Sequence, residues 1–495
     1  MKQDRREFLK KSGCALTMTA LATQMSHFGL MSAIAQESKD STVEGVPSDY
    51  RALVCIFLSG GNDANNTVIP NHNDATISNY AAYSAARSTQ GLAIPQPNLA
   101  GTSITVPRMG NLTYGLHPGL GIQPPGTNIV NNGIHELWGM GKMAIVCNVG
   151  TLIQPTTRTQ FLSPGWPRPF QLYSHSDQVS QYQGGRSDME SFTGWGGRLS
   201  DQRSAPDNPT GLIPMITSIA GAQLFTAGQT TLPLAIGTGT LASVLNPVSP
   251  NTTTSALRTA FNNLRSVDLS HDLQAAASHI TDSAMSANSV FQTNPYDPAG
   301  FPATVIGNQL RQVARLVKKR TDLSINRQVF FVQLGGFDTH NNQLGGQTNL
   351  LIQLSQAMRA FYNEMVTQGI ADKVTQFTMS DFSRTMNPAG TGATVGTDHA
   401  WGSHMFVVGG GITSADFYGL NGSNGTPYPH LAFNTGDDAD NGSGARGRWI
   451  PTTSIEQYAA TLARWFGLPD ANLVNVFPKI GNFPNTNLGF MQPPA

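Results

Sequence analysis

Charge is scarce in this chain of 495 residues: Asp, Glu, Lys and Arg together make up 12% of it, with 30 residues of each sign. No stripe of Lys and Arg interleaves with aromatic residues, so nucleic acid is not an expected partner. Cysteine is scarcer, limited to Cys14, Cys55 and Cys147. That is too few for a disulfide framework, and a chain this long can rely on the size of its core instead. Cys55 and Cys147 lie inside apolar runs (Leu53–Leu58 and Met143–Val149), where a thiol acts as a small buried apolar group. Long hydrophobic stretches are missing as well. Nothing beyond residue 35 approaches the roughly eighteen apolar residues that span a bilayer, which argues against a stable membrane anchor. In place of charge the chain has 51 glycines and much Asn, Thr and Ser, a composition suited to an exported protein with long ordered loops.

The N-terminus carries its own information. Asp4-Arg5-Arg6-Glu7-Phe8-Leu9-Lys10 has the form of a twin-arginine export motif, with Asp4 where Ser or Thr is commoner. A moderately apolar segment from Cys14 to Met31 follows, and Ala33-Ile34-Ala35 offers small residues at the two recognition positions of a signal peptidase. The expectation is a signal peptide over residues 1–35, the twin-arginine translocation machinery as a partner during export, and a periplasmic or secreted mature chain from Gln36. That route carries folded proteins, so a metal would be acquired before export. Five of the 30 basic and two of the 30 acidic residues lie in 1–35, leaving 25 against 28 and a slightly acidic mature chain.

The continuous apolar run Leu53–Leu58 reads as a strand buried on both faces and Met143–Asn148 as a second buried strand, and Val329–Leu334, Val374–Met379 and Met405–Val408 read as further strands. Leu212–Ile216 and Leu232–Ile236 are weaker candidates. Helical spacing of apolar residues marks Asn308–Arg320 and Leu350–Met365, and Thr453-Ser-Ile-Glu456 has a capping-box pattern opening a helix through Phe466. Strand, helix and strand within about fifty residues imply a right-handed parallel crossover. The expected fold is one α/β domain over residues 36–495, with a mostly parallel sheet flanked by helices. A Ser/Thr/Asn-rich insertion falls around 220–300.

Chemistry gathers at the strand ends. Asp63 follows the first strand, Asp338 and His340 follow Val329–Leu334, and Asp381 follows Val374–Met379. Asp398, His399 and His404 precede or open Met405–Val408, so the loop from Arg384 would have to fold them back over the same edge. In an open parallel sheet ligands bind beyond the C-terminal strand ends. Carboxylate and imidazole donors together suit a divalent metal ion, with the His content favouring Zn or Mn, and two ions can share such a set. Each piece has a plainer reading: Asp63 as a helix cap, Asp338 with His340 as a loop-stabilising pair, Asp398 with His399 as partners without metal.

Phe57-Leu-Ser-Gly-Gly-Asn-Asp63, Thr193-Gly-Trp-Gly-Gly-Arg198, Gln309-Leu-Arg-Gln-Val-Ala-Arg-Leu316, Gly335-Gly-Phe-Asp338-Thr-His340, Ser380-Asp381-Phe-Ser-Arg384 and Gly396-Thr-Asp398-His399 stand in an order that resembles the family called domain of unknown function 1501. With the leader, the resemblance spans nearly all of the mature chain. That family looks like a branch of the alkaline phosphatase and sulfatase superfamily. The resemblance implies an alkaline phosphatase-like fold, a metal centre of one or two ions, and hydrolysis of a small-molecule or polymeric phosphate or sulfate ester. It implies Asp63 as the first-strand metal ligand, Asp338 and His340 on one ion, and Asp381 with His399 or His404 completing the centre. Asp381-Phe382 departs from the Asp-His of catalytic relatives, and Asp338 and His340 stand two apart rather than four. The relatives place a nucleophile at a helix N-terminus after an early strand. Ser176, within Ser174-His175-Ser176-Asp177, is the first candidate, or else an ordinary helix cap; Thr156 and Thr157 come next. Arg384 is either a bidentate clamp on the ester oxyanion or one half of a structural ion pair. The alternative to a hydrolase is a non-catalytic exported protein of the same fold that binds a polysaccharide or a protein partner.

Overall fold

The computed structural model describes residues 50–123, 133–239 and 293–493, with Thr259, Asn263, Val290 and Phe291. The expected signal peptide and the larger part of the expected 220–300 insertion lie outside the described residues.

Among the described residues twelve strands form two sheets. They are β1 (Arg51–Ser59), β2 (Val68–Pro70), β3 (Ser103–Val106), β4 (Leu112–Leu116), β5 (Met143–Gly150), β6 (Ile216–Ser218), β7 (Leu234–Ala235), β8 (Arg327–Gly335), β9 (Val374–Ser380), β10 (Ser403–Gly409), β11 (Phe417–Tyr418) and β12 (Thr453–Ser454). The main sheet runs β11-β5-β10-β9-β1-β8-β6-β7, with β12 beside the end of β5. β2, β4 and β3 make a small antiparallel sheet that sequence patterning did not anticipate, because each strand is only three to five residues long.

The sheet is mostly parallel, as expected. Its centre pairs β1 with β8 and with β9 in parallel. Along β1, Val54, Ile56 and Leu58 enter one apolar core, while Leu53, Cys55 and Phe57 enter the other on the opposite face. This two-sided burial is why the strand reads as an unbroken apolar run rather than an alternating one. Cys55 and Cys147 are free and buried, and they lie in different cores, so the sheet itself keeps them apart.

Seven helices matter for the site: α1 (Ala64–Thr67), α2 (Tyr80–Arg87), α3 (His175–Gly184), α4 (Trp195–Asp207), α5 (Val305–Lys318), α6 (Gln343–Thr367) and α7 (Ile455–Phe466). α5 and α6 pack into the first core, and α3, α4 and α7 into the second. The capping box of α7 sits one residue later than its sequence pattern suggests: Ser454 caps Gln457 rather than Thr453 capping Glu456. No helix among the described residues is long and apolar enough to cross a membrane.

One strand decides where the site forms. β10 runs antiparallel to both β9 and β5. The start of β10 therefore lies at the same edge as the ends of β1, β8 and β9. The chain delivers Asp398 and His399 there by entering the sheet, and the expected fold-back of the loop over the edge is not required.

Candidate metal centre

Three imidazoles and one carboxylate converge beyond that edge. Asp338 follows β8, His340 stands two residues on, His399 precedes β10, and His175 opens α3 after the loop from β5. His340 Nε2 lies 3.1 Å from Asp338 Oδ1, with His175 Nε2 at 3.4 Å and His399 Nε2 at 3.6 Å from the same oxygen. His340 and His399 face each other through their Nε2 atoms at 3.0 Å. His175, Asp338 and His399 each offer one donor atom, all within 4.8 Å of one another.

The opposite side of each ring is engaged by an acceptor. His175 Nδ1 is 2.7 Å from Asp381 Oδ2, His399 Nδ1 is 2.8 Å from the Tyr173 carbonyl, and His340 Nδ1 is 3.4 Å from Asp398 Oδ1. A carbonyl oxygen or carboxylate only accepts, so Nδ1 carries the proton in His175 and His399 and Nε2 keeps its lone pair in the neutral ring. His175 Nε2 is buried and has no hydrogen-bond partner among the described residues. The Arg384 guanidinium pairs with the same Asp338 oxygen, and imidazoles backed by carboxylates and carbonyls are how metal-binding histidines are held. The residues present therefore fit a divalent ion.

Electrostatics agree with the geometry. The Asp381 hydrogen bond raises the His175 pKa against the effect of burial, with the charges of Asp381 and Asp338 adding to it. Burial lowers that of His399, helped by the neighbouring His175, Arg384 and His340 charges. Burial alone would raise the Asp338 carboxyl, but the Arg384 hydrogen bond and charge, with His175 and His340, hold it below its usual range.

Several expected roles change. Asp63 is not brought to the cluster: it is buried, pairs with Arg87 at 2.6 Å, and caps α1 through Asn65 N–H. It takes the plainer part of a helix cap, and the guanidinium neutralises its charge. Asp381 backs His175 rather than meeting Asp338, and its Oδ1 accepts the Gly60 N–H at 3.1 Å. Asp398 likewise stands behind His340 and is held by Arg446. Arg384 is fully buried; it donates to the carbonyls of Gly60, Gly61 and Thr397 and pairs with Asp338. Its Nη1 also lies 3.5 Å from His340 Nε2, so its contacts are those of a structural ion pair with Asp338, one of its two expected roles. His404 faces elsewhere: an irregularity at the start of β10 leaves its Nδ1 accepting Asn148 N–H at 3.2 Å, its ring stacked on Tyr428, and burial pushing its pKa down to about 3. The Ser176 hydroxyl is exposed and meets Ser174 and Asp177, not the four donors, and Ser174 rather than Ser176 is the cap residue of α3. Thr157 caps a short helix over Arg158–Leu162 through Gln160, and Thr156 bonds Gln154 and Trp166.

His175 is the donor that sequence reasoning missed. It stood inside the segment searched for a hydroxyl nucleophile, and its position at the first turn of a helix after a buried strand was the available signal. Phe382, beside Asp381, packs its ring 4.7 Å from the rings of both His175 and His399.

Gly60 lets the first loop approach this cluster. Its φ is +114°, and a Cβ there would stand 2.3 Å from Asp338 N. Gly60→Ala is expected to cost about 2–4 kcal/mol, combining backbone strain with overpacking against the Asp338 loop. Urea unfolding of the variant checks it, and a cost below about 0.5 kcal/mol would show that the loop gives way freely.

The family described as protein of unknown function (DUF1501) matches residues 240–429, a span that contains Asp338, His340, Asp381, Asp398 and His399 but not Asp63 or His175. No curated protein shows significant similarity to the chain. Among solved structures, the PsFucS1 sulfatase from Pseudoalteromonas sp. is similar at 10% identity and a TM-score of 0.27, over 80% of this chain and 68% of that one. Two TAB5 alkaline phosphatase variants with Mg bound are similar at 8% and 7% identity and TM-scores of 0.23 and 0.25, each over 73% of this chain and 91% of theirs.

Proposed function

We propose that the chain is an exported metal-dependent hydrolase of phosphate or sulfate esters. A divalent ion, Zn or Mn by the chemistry of the donors, would be held by His175, Asp338 and His399, with His340 beside them. The observation that supports this most is the commitment of Nδ1 in His175 and His399, which leaves their Nε2 lone pairs directed at one Asp338 oxygen.

Such an ion supplies Lewis acidity and lowers the pKa of water to near neutrality. The protein side of the reaction is orientation. Asp381 and the Tyr173 carbonyl fix two rings, and Arg384 holds Asp338 ionised. Among the described residues no Ser, Thr or Cys side chain is bonded to the four donors, so the reading takes water rather than a protein hydroxyl as nucleophile. His340 is the most exposed imidazole of the cluster, at 45%, and is placed to accept a proton from that water.

Elemental analysis of the purified mature protein is expected to find about one equivalent of Zn or Mn. His175→Ala should lower affinity by about 100-fold or more and abolish hydrolysis of chromogenic sulfate, phosphate or phosphodiester substrates. A wild-type protein that takes up neither ion at micromolar concentration, or a His175→Ala protein with full activity, would end this reading.

A further inference from the structure

Resting on the metal-centre reading, we infer that Arg448, Tyr173 and Asp440 form a brace that positions His399, making Arg448 a positioning residue for the centre although it touches none of the converging Nε2 atoms. The starting point is an uncomfortable backbone. Tyr173 has φ +74°, in the left-handed region that a bulky side chain rarely adopts, and Gln171 two residues earlier has φ +46°. No glycine relieves the turn. What this conformation achieves is to present the Tyr173 carbonyl to His399 Nδ1 at 2.8 Å. Strain of this kind persists only where the surroundings over-determine it.

Arg448 supplies that determination from two directions. Its guanidinium carbon lies 5.1 Å from the centre of the Tyr173 ring, a cation–π contact, and its Nε donates 2.8 Å to the His399 carbonyl. One side chain thus grips both partners of the His399–Tyr173 bond. Asp440 fixes the guanidinium through Nη1 at 2.8 Å, and Asp440 is itself tied to the loop by accepting Arg446 N–H at 2.7 Å. The consequence is chemical as well as mechanical: while the Tyr173 carbonyl stays in place, His399 must carry its proton on Nδ1 and offer Nε2 to the cluster. If the carbonyl swings away, the ring is free to rotate and to exchange tautomers.

The test compares Arg448→Met, Tyr173→Leu and Tyr173→Phe with the wild type, using Co²⁺ as the probe ion. Tyr173→Phe keeps both the aromatic face and the carbonyl and is expected to bind Co²⁺ within about twofold of wild type. Arg448→Met and Tyr173→Leu should each weaken Co²⁺ binding by about 10–100-fold and alter the visible absorption of the bound ion. In the metal-free protein, nitrogen NMR should show His399 as the Nδ1–H tautomer in wild type and Tyr173→Phe, and as a mixture in the other two. Should Arg448→Met fail to fold, Tyr173→Leu carries the test. Wild-type affinity, absorption and tautomer in both disrupting variants would overturn the brace. A wild-type protein that ignores Co²⁺ would instead count against the metal centre, and the tautomer measurement would still decide the brace.

Discussion

Arg87→Met is expected to lower the unfolding free energy by about 3–5 kcal/mol, the largest loss foreseen for a single replacement. Arg87, on α2, is fully buried, as is the Asp63 side chain it meets. Its Nη1 and Nη2 reach the two Asp63 oxygens at 2.6 and 3.1 Å, and its remaining donors go to Asn66 and to the carbonyls of Thr385 and Met386. Gln343 adds a further donor to Asp63 from the start of α6. Methionine fills most of the volume but leaves a buried carboxylate without its countercharge, and it releases two carbonyls of the loop that leads to His399. Desolvation makes such a remnant far costlier than the intact pair was favourable. The double replacement Asp63→Asn with Arg87→Met should recover part of the loss, because the leftover charge disappears. Urea unfolding of the three proteins measures this. A single-variant cost below about 1 kcal/mol would mean that solvent reaches Asp63.

Glu456→Gln should act in the opposite sense and only at higher pH. Glu456 lies in the first turn of α7, fully buried, and neither carboxylate oxygen makes a hydrogen bond of normal geometry among the described residues. Burial pushes its pKa up from 4.5 to about 7. The folded state thus holds the proton more tightly than the unfolded chain. The stability this contributes is complete below about pH 4.5 and is lost as pH rises through about 7, a change of about 3 kcal/mol. The amide cannot ionise, so the variant should gain up to about 3 kcal/mol over wild type at pH 8 and differ little at pH 4.5. His117 and His404 are pushed down by burial to about 4 and about 3, and they favour the folded state toward higher pH; both are common to the two proteins and cancel in the comparison. A difference that is the same at pH 4.5 and pH 8 would show that Glu456 does not titrate in this window.

The central sheet was legible because β1, β5, β8 and β9 are buried on both faces and are rich in apolar residues, with the run in β1 unbroken from Leu53 to Leu58. Helices α5 and α6 showed through their periodicity, although α6 begins at Gln343, seven residues before its first clear apolar repeat. The direction of β10 was not legible, since an apolar run of four, Met405–Val408, reads the same in a parallel or an antiparallel neighbour. For the site, Asp338, His340 and His399 were visible as polar residues at strand ends. Asp63 had the same signature and a different fate, because Arg87, 24 positions along, could not be paired with it from pattern alone. His404 was separated from His399 by a local irregularity in strand pairing that no spacing rule reveals. The Tyr173 carbonyl belongs to the backbone, and sequence says nothing of where a carbonyl will point.

The meeting of His399 with Tyr173 joins positions 226 residues apart, and that of His175 with Asp381 joins positions 206 apart. Donors drawn from such distant stretches do not gather in an unfolded chain, so a cation captured there closes very long loops at once. Its binding energy would then be spent almost wholly on holding the two flanks of the sheet in register, as a removable rivet.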